Sequence, residues 1–448
     1  MSENGHDSED GLRRELGLFD TTAVVVGACV GVGIFFTPAR VASLAGSVEL
    51  ALTAWVIGGL VALAGALTLA EIGSMYPKSG GQYAALRDAY GPGLAFVYVV
   101  CNATATQAGA IAVIGLVCAQ NLAVATSGAE LSPLGAAIVA TALVVVLAIA
   151  NAIGVRWGAR IQNLTVIGKL AALAAVGMLV PFAPATVPEA AAVAPTDSTT
   201  TALLAALVPA LFAFGGWQQA TWVAGEVRDA ERVLPRAILL GVVVIVSIYL
   251  AVNWAYLQLL GIDAAAASNS IAADATAVVL GEPGRRVVAA AVALSAFGVL
   301  NAQLLAGPRL VYALAADRRF FAVFARIDSR SGTPVAAIAL LASVSLGLLW
   351  LAGAGGIDRL LNGVVAVDAI FFAVTGLTSV VLVRVRPRHT RPLRTPLWPI
   401  VPIAFTLAEL AIVAGTWVDP NVRASVGVGA AWILAAAILY MLRFRGVR

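Results

Sequence analysis

The hydrophobic residues of this 448-residue chain are gathered in long runs. A helix needs about 20 apolar residues to cross a hydrocarbon core of about 30 Å, and roughly twelve runs approach or exceed that length. They lie approximately at 18–38, 47–72, 93–125, 133–153, 160–182, 201–226, 233–261, 285–315, 333–353, 358–384, 397–417 and 424–443. Only 12% of the residues are charged, against about 25% in a soluble domain. The pattern therefore predicts an all-α integral membrane protein with about 12 transmembrane helices.

Positively charged residues are concentrated in alternate connections between the predicted spans. The richer set comprises residues 13–14, 78–87, 156–160, 228–236, 318–330, 384–394 and 443–448, and the other set holds only Arg40, Arg285, Arg286, Arg359 and Arg423. By the positive-inside rule, both termini are predicted to be cytoplasmic, in agreement with an even number of spans. The polar start has no apolar run directly behind a basic cluster, so no cleaved signal peptide is expected. A multi-pass protein of the cell inner membrane is the resulting prediction.

The remaining charges, cysteines and histidines argue against several kinds of function. The net charge of +4 is dispersed over many loops and predicts no nucleic-acid partner. Cys29, Cys101 and Cys118 all fall inside predicted spans, while His6 and His389 lie in the tail and in a loop. These positions predict neither a disulfide nor a metal site. No nucleophile constellation is apparent, so neither enzymatic activity nor a cofactor is expected.

Two predicted spans are interrupted by short glycine-rich segments, residues 31–35 in the first span and 212–217 in the sixth. In lipid, a helix can unwind only where protein or a water-filled cavity satisfies the freed N–H and C=O groups. Interruptions at corresponding places in two halves of a chain indicate the binding site of a secondary transporter with inverted repeats. The alternative is that these glycines only allow close packing between helices.

Three ionisable residues fall deep inside predicted spans, where a charge is costly and often functional. Lys169 lies about two turns into the fifth span, where carbonyl groups of an unwound first span would be natural acceptors. It either ties two helices together or titrates. For Asp368, near the centre of the tenth span, three roles stay open: proton acceptor, partner of a cationic substrate group, or partner of a polar neighbour. Glu409, in the eleventh span, is predicted to be a peripheral helix contact because nothing near it is interrupted.

A further group of charged residues lies near the predicted cytoplasmic ends of the spans: Asp20, Glu71, Glu226 and Arg309. One interpretation is that they pair across a closed inner side, and the other, slightly favoured, is ordinary solvation. The amphipathic segment 80–90 is predicted to lie along the inner face.

Four stretches carry recognisable patterns: residues 27–38, with a Gly-x-Gly-Ile-Phe run followed by Pro38; residues 70–83 after the second span; residues 212–238; and Asn301, Arg309 and Thr333-Pro334. In combination they resemble the amino acid–polyamine–organocation transporters, most closely the L-type amino acid transporter branch. The match extends over roughly residues 17–395.

The resemblance implies a LeuT-like fold in which the first and sixth helices are unwound in mid-membrane. A cytoplasmic tail, 1–17, would precede a five-helix repeat, 18–182. An inverted five-helix repeat, 201–384, would follow, and residues 397–448 would supply two additional helices and a short cytoplasmic C-terminus.

The resemblance also implies where an amino acid would bind. Its carboxylate would lie on the N–H groups of the first interruption, and its ammonium on carbonyl groups of both interruptions. Phe212 would close over the substrate, and Lys169 would stand where distant relatives hold sodium. The expected substrate-binding residues are Cys29, Gly31, Val32, Gly33, Ile34, Phe212, Ala213, Gly215, Trp217 and Gln218, and the expected coupling or gating residues are Lys169, Phe212 and Asp368.

Two departures from the family pattern affect the expected substrate. Val32 replaces the usual serine, and Asp368 stands where a neutral residue is expected. The first prediction is alternating-access transport of neutral L-amino acids, independent of sodium, by exchange or proton symport. A cationic amino acid or polyamine is the alternative that Asp368 would favour. A membrane sensor that binds an amino acid without moving it is a different class, which the short polar ends disfavour. The expected partners are the amino acid and the lipid bilayer, with no metal and no accessory subunit.

Overall fold

The computed structural model of the protein describes residues 12–31, 33–182, 199–268, 270–386, 388–418 and 420–446. Within these ranges, the side chains of residues 352–366, 415–418 and 420–426 are not described. Most of the described residues are helical. In chain order the helices are α1 (Leu18–Cys29), α2 (Thr37–Ala45), α3 (Val48–Met75), α4 (Gly81–Tyr90), α5 (Pro92–Cys101), α6 (Gln107–Ser127), α7 (Pro133–Ile153), α8 (Val155–Gly177), α9 (Thr199–Ala213), α10 (Gln219–Trp222), α11 (Ala230–Ala267), α12 (Ile271–Leu280), α13 (Glu282–Ala316), α14 (Val335–Val385), α15 (Ile400–Val418) and α16 (Pro420–Leu439).

Several helical segments match the dimensions of a bilayer. Of the described residues, eight helical segments are long and apolar enough to cross a membrane: Val48–Met75, Pro92–Ser127, Pro133–Ile153, Val155–Phe182, Ala230–Ala267, Glu282–Ala316, Val367–Val385 and Gly427–Phe444. Shorter apolar helices accompany them at Leu18–Cys29, Thr199–Ala213, Ile271–Leu280, Val335–Leu351 and Ile400–Ala414. The lengths agree with the hydrocarbon thickness that a spanning helix must cover. The helical, multi-pass character predicted from the sequence is confirmed.

Both spans with glycine-rich segments are interrupted. Helix α1 ends at Cys29, and a 3₁₀ turn, Gly33–Phe35, separates it from α2. Helix α9 ends at Ala213, and α10 begins only at Gln219. Between them Gly216 has φ +115°, a backbone conformation that residues with a side chain rarely adopt. Both helices are therefore interrupted at their glycine-rich segments, which the alternative of close packing between continuous helices does not explain.

Helix α14 differs from the sequence prediction. It runs as one element through the gap between the predicted spans 333–353 and 358–384. The predicted boundary came from Gly355, Gly356 and Asp358, which lower the local hydropathy. Such residues lower helix propensity by about 1 kcal/mol or less each, too little to end a helix by themselves.

The connection after the seventh predicted span also contains structure that hydropathy did not reveal. Helix α11 continues past the predicted end at Gly261, where the backbone kinks (φ 71°, ψ 172°). The short helix α12 then follows within the predicted loop. Gly261 can take this angle because it lacks a Cβ.

An apolar core joins α1, α2, α3, α8, α9 and α11. Small residues let these helices approach closely. At Gly65 of α3, an added Cβ would come within 2.6 Å of both Trp217 and Phe405. The aromatic rings beside the second interruption are therefore held between α3 and α15.

A buried polar network fixes α10 against the rest of the bundle. The Tyr98 hydroxyl and the Trp222 indole N–H both donate to Gln82 Oε1 at 2.8 Å. Gln82 Nε2 in turn donates to the Thr375 hydroxyl at 2.8 Å. Because a buried amide costs free energy unless it is bonded, this network specifies how α4, α5, α10 and α14 meet.

Candidate functional site

Lys169 donates hydrogen bonds to backbone carbonyl groups that are freed where the first span is interrupted. Its amine donates to the Gly27 carbonyl at 2.8 Å and to the Val30 carbonyl at 2.7 Å, and the side chain is 0% exposed. At the C-terminal end of a helix the last carbonyl groups have no intrahelical partner. The predicted tie between the fifth span and the unwound first span is thus present in the geometry.

Two hydroxyl groups from other helices add to this support. The Tyr249 hydroxyl of α11 donates to the Cys29 carbonyl at 2.9 Å, and the Ser295 hydroxyl of α13 donates to the Val30 carbonyl at 3.0 Å. The Gly31 N–H also donates to the Cys29 carbonyl, at 2.7 Å. A carbonyl oxygen has two lone pairs, so the Cys29 carbonyl already has a full set of donors.

The second interruption lies directly against the first. At Gly216, an added Cβ would stand 2.6 Å from the Ala28 carbonyl oxygen. Tight turns hold the chain before it, with Phe214 N–H donating to the Leu211 carbonyl and Gly215 N–H to the Phe212 carbonyl, both at 3.1 Å. Glycine is therefore required at position 216 by both its angle and its neighbour.

A cavity of about 540 Å³ opens beside the two interruptions. This volume is within the range of small-molecule sites. Most of the residues predicted from the sequence line it: Cys29, Gly31, Gly33, Phe212, Ala213, Gly215, Trp217, Gln218 and Asp368. Phe212 is 46% exposed and lies on the cavity wall.

Three predicted residues do not line this cavity or cannot be placed. Ile34 is 0% exposed and packs in the apolar core. Lys169 lies behind the first interruption, on the carbonyl groups described above. Val32 lies outside the described residues. Ile34 fails to reach the cavity because the 3₁₀ turn directs it into the helix bundle.

Glu409 is in a different place from the one predicted. It lines the cavity together with Phe405 and Ile412, so it is a wall residue and not a peripheral helix contact. The prediction was wrong because it considered only whether the helix near Glu409 was broken. The spacing of four residues between Phe405 and Glu409, which places both on one helix face, was the available signal.

Aromatic rings form one wall of the cavity. The Trp217 ring centroid lies 5.5 Å from that of Phe372 and 5.8 Å from that of Phe405. The last two centroids are 6.2 Å apart, with nearly perpendicular rings. These separations favour a packed aromatic group. They connect α14 and α15 to the second interruption.

A buried ion pair closes the side of the bundle near α10. Arg309 donates to Glu226 in a bidentate arrangement, with Nη2–Oε1 2.8 Å and Nε–Oε2 3.0 Å, and both side chains are 0% exposed. The Glu226 carbonyl also accepts the N–H groups of Glu15 and Leu16, each at 2.9 Å. Pairing rather than solvation is therefore observed for these two residues.

The other charged residues near the predicted cytoplasmic ends also have partners. Asp20 accepts from Asn163 Nδ2 at 2.7 Å. Glu71 is buried and accepts from the Arg391 guanidinium and from the Thr395 hydroxyl. These contacts tie α1 to α8 and α3 to the segment before α15.

Comparison with known proteins gives the family. A family model described as amino acid permease matches residues 16–442. The serine/threonine exchanger SteT of Bacillus subtilis (strain 168) is 27% identical over 428 residues, covering 94% of this chain and 95% of that protein. Among human proteins, the large neutral amino acids transporter small subunit 2 is 30% identical over 452 residues, covering 96% of this chain and 80% of that protein.

A third relative extends the range of substrates named in these relatives. The cystine/glutamate transporter of Homo sapiens is 29% identical over 436 residues, covering 96% of this chain and 85% of that protein. The family match covers nearly the whole chain and agrees with the resemblance found in the two interrupted spans. The chain belongs to the amino acid permease family.

Proposed function

We propose that this amino acid permease binds the backbone of a zwitterionic amino acid at its two interrupted helices and moves it by alternating access. The observation that carries the proposal is that the interruptions contact one another and open onto one cavity. An interrupted helix offers N–H groups at the start of one half and carbonyl groups at the end of the other. These attract a carboxylate and an ammonium, respectively.

The substrate carboxylate is assigned to the N–H groups of Val32 and Gly33, because the Gly31 N–H already donates to the Cys29 carbonyl at 2.7 Å. The ammonium is assigned to the carbonyl groups of Phe212 and Gly215, since the Cys29 carbonyl already accepts two hydrogen bonds. Phe212, half-exposed beside these groups, is proposed to cover the bound substrate.

Neutral L-amino acids are the proposed substrates. The names of two relatives, a serine/threonine exchanger and a large neutral amino acids transporter small subunit, support this class. The cavity wall supports it too, because it includes apolar side chains such as Val113, Ile114, Val299 and Phe372. A cationic amino acid or a polyamine is the second candidate, because Asp368 lines the same cavity.

The proposed coupling is independent of sodium. The Lys169 amine occupies the backbone acceptors of the first interruption, where a coordinated cation would otherwise be needed. Exchange of amino acids and symport with a proton are the two remaining modes. The exchanger among the relatives supports the first of these.

The proposed architecture has twelve transmembrane segments in a LeuT-like arrangement, two of which we place within α14, at Val335–Leu351 and Val367–Val385. Residues 18–182 and 201–384 form the inverted repeats, and residues 397–448 contribute two further helices. An interruption in the first helix of each proposed repeat supports this division. The arginine distribution supports cytoplasmic termini in a cell inner membrane, with the tail 1–17 inside.

Uptake of a radiolabelled amino acid panel into liposomes that contain only the purified protein tests these proposals together. Assays run without sodium, with and without internal amino acid, and at two pH values. A neutral amino acid taken up only against internal amino acid identifies an exchanger. Uptake into empty liposomes driven by an inward proton gradient identifies a symporter.

Other outcomes contradict individual parts of the proposal. Binding without uptake under either driving condition would favour the sensor. A requirement for external sodium would overturn the role of Lys169 in coupling. Uptake that appears only after a second protein is added would overturn action by this chain alone.

A further inference from the structure

Two carboxylates from neighbouring helices reach the same cavity. Asp368 of α14 and Glu409 of α15 both line it. Asp368 precedes Phe372 by four residues, and Glu409 follows Phe405 by four, so each acid lies about one turn from a ring of the aromatic pair. A bond of 3.4 Å from the Thr406 hydroxyl to the Ala373 carbonyl holds the same stretches together.

The packing brings the two acids together. The two helices contact each other through the pair Phe372–Phe405, whose centroids are 6.2 Å apart. Asp368 stands one turn from the Phe372 ring and Glu409 one turn from the Phe405 ring, and both acids line the cavity. Asp368 and Glu409 together form an acidic wall of the cavity.

Neither acid of this wall is paired with a cation within the part of the chain that the structure describes. Neither carboxylate accepts a hydrogen bond from, or pairs with, a described residue, although Glu409 is only 9% exposed. Arg40 lines the cavity from α2 but forms no salt bridge with either acid. Lys169 is bonded to the carbonyl groups of the first interruption. An ionisable group at membrane depth without a partner marks a substrate or ion pathway.

A second and independent feature of the same cavity is a set of amide oxygens without donors. The side-chain oxygens of Gln107, Gln218 and Gln219 are buried and have no hydrogen-bond partner in the described structure. All three residues line the cavity, and their exposed fractions are 2%, 3% and 1%. Buried acceptors are nearly always satisfied, so these oxygens indicate a ligand that brings donors.

We propose that Asp368 and Glu409 form an acidic subsite that binds an ammonium or guanidinium group at the end of a substrate side chain. The protein then takes cationic as well as neutral amino acids. The proposal rests on the proposed binding of the amino acid backbone at the two interruptions. The side chain of a neutral substrate fills the apolar part of the cavity. The side chain of a cationic substrate extends to the two acids and donates hydrogen bonds to them and to the unpartnered glutamine oxygens.

The wild-type protein gives the first test through a matched pair of competitors. Lysine and norleucine have the same unbranched chain and differ by the terminal amino group. In liposomes that take up radiolabelled leucine, lysine should inhibit at a concentration at least about tenfold below that of norleucine, because only lysine engages both acids. Radiolabelled lysine should itself be taken up.

The variants Glu409→Gln and Asp368→Asn give the second test. Each keeps the shape of the side chain and removes its charge. Each should raise the KM for lysine at least about tenfold, with the KM for leucine changed by less than about threefold. The control, Glu130→Gln, removes the same charge from an exposed residue between α6 and α7 and should change neither KM.

The possible failures are distinguishable. Leucine uptake with no inhibition by lysine overturns the acidic subsite and leaves the proposed function standing. No uptake of either amino acid overturns the proposed function itself. In a third outcome, the wild type does not take up lysine, and leucine uptake by Glu409→Gln no longer depends on a proton gradient. This outcome would mean that the acids bind a proton, and it would overturn the substrate subsite. Equal losses for both amino acids in the variants also overturn it.

Discussion

The two interrupted helices differ in what holds them. In the first, side chains from three other helices donate to the freed carbonyl groups: Lys169 from α8, Tyr249 from α11 and Ser295 from α13. In the second, the turns around Phe214 and Gly215 use bonds within the same segment. The hydrogen bonds of the first interruption therefore reach the surrounding bundle, whereas those around Phe214 and Gly215 stay within the second interruption, which meets the bundle through the packing of Trp217 on Phe372 and Phe405.

The difference has a consequence for transport. A segment whose carbonyl groups accept bonds from three helices moves only with those helices, whereas the turns of the second segment can rearrange without breaking bonds of that kind. The exposed ring of Phe212 and the unpartnered oxygen of Gln218 both lie on the second segment. We therefore expect the first interruption to supply fixed geometry and the second to respond to the substrate. Four substitutions test this division.

Lys169→Ala should have the largest effect. It removes the donor to the Gly27 carbonyl and one of the donors to the Val30 carbonyl. Leaving the Gly27 carbonyl unsatisfied costs about 1 to 3 kcal/mol, and the loss of one of the two donors to the Val30 carbonyl adds about 1 kcal/mol, so transport should fall by about a hundredfold. The measurement is initial uptake into liposomes, normalised to the amount of reconstituted protein.

A second variant at this position separates bonding from packing. Lys169→Met keeps an unbranched apolar stem and loses only the amine, so it should be as inactive as Lys169→Ala. Uptake near the wild-type rate by Lys169→Met would mean that the stem matters and the hydrogen bonds do not. The first interruption would then be no better anchored than the second.

Gly216→Ala should have the next largest effect. The new Cβ would stand 2.6 Å from the Ala28 carbonyl oxygen, and the backbone has φ +115°. A strained backbone position costs about 1 to 3 kcal/mol, so uptake should fall by roughly ten- to fiftyfold through separation of the two interruptions. Uptake into liposomes and the melting temperature of the purified protein are the two readouts.

Gly177→Ala is the matched control for this substitution. An added Cβ at Gly177, the last residue of α8, meets nothing within 4 Å, so uptake should stay near the wild-type rate. If Gly216→Ala transported as well as Gly177→Ala, the two interruptions would not need their close contact. The second interruption would then not be constrained by its contact with the first.

The sequence predicted the interruptions and Lys169 better than their surroundings, for a physical reason. Glycine-rich runs and a lysine in an apolar span are local signals, because each violates the rule for a membrane helix at its own position. Tyr249 and Ser295 violate nothing, since hydroxyl groups are common in such helices. Their role depends on which carbonyl groups packing brings near, and that is not a local property.

Glu409 and α14 show the same limit from the other side. Glu409 looked isolated in sequence because its neighbours form an ordinary helix, yet the packing of α15 on α14 turns it to the cavity. The gap predicted within α14 was inferred from hydropathy, which measures burial rather than helix continuity. The sequence therefore supplied the elements and the strongest local exceptions, and tertiary packing decided which side chains share a cavity.

Phe212→Ala tests whether the second interruption responds to substrate, and it should have a smaller effect than Gly216→Ala. The ring is 46% exposed and lines the cavity, so its loss should leave the melting temperature unchanged. Loss of an aromatic cover over the substrate should raise the KM for a neutral amino acid by about tenfold, or about 1.4 kcal/mol. Concentration dependence of uptake gives the KM.

Phe182→Ala serves as its control, because Phe182 is 71% exposed and outside the cavity lining. Neither its KM nor its melting temperature should change. A fall in the melting temperature of Phe212→Ala, with an unchanged KM, would make Phe212 a structural residue. The proposed cover over the substrate would then not be the Phe212 ring.

Tyr249→Phe should have the smallest effect, because it removes one of the two donors to the Cys29 carbonyl and leaves the Gly31 N–H in place. A single neutral hydrogen bond contributes about 1 kcal/mol, so uptake should fall by about fivefold, with a small drop in melting temperature.

Tyr256→Phe, also on α11, is a close control, since the Tyr256 hydroxyl is buried without a partner in the described structure. Its removal should leave the protein equally or more stable and uptake unchanged. Equal behaviour of the two variants would mean that the α11 contact does not hold the first interruption, and the anchoring would rest on Lys169 and Ser295 alone.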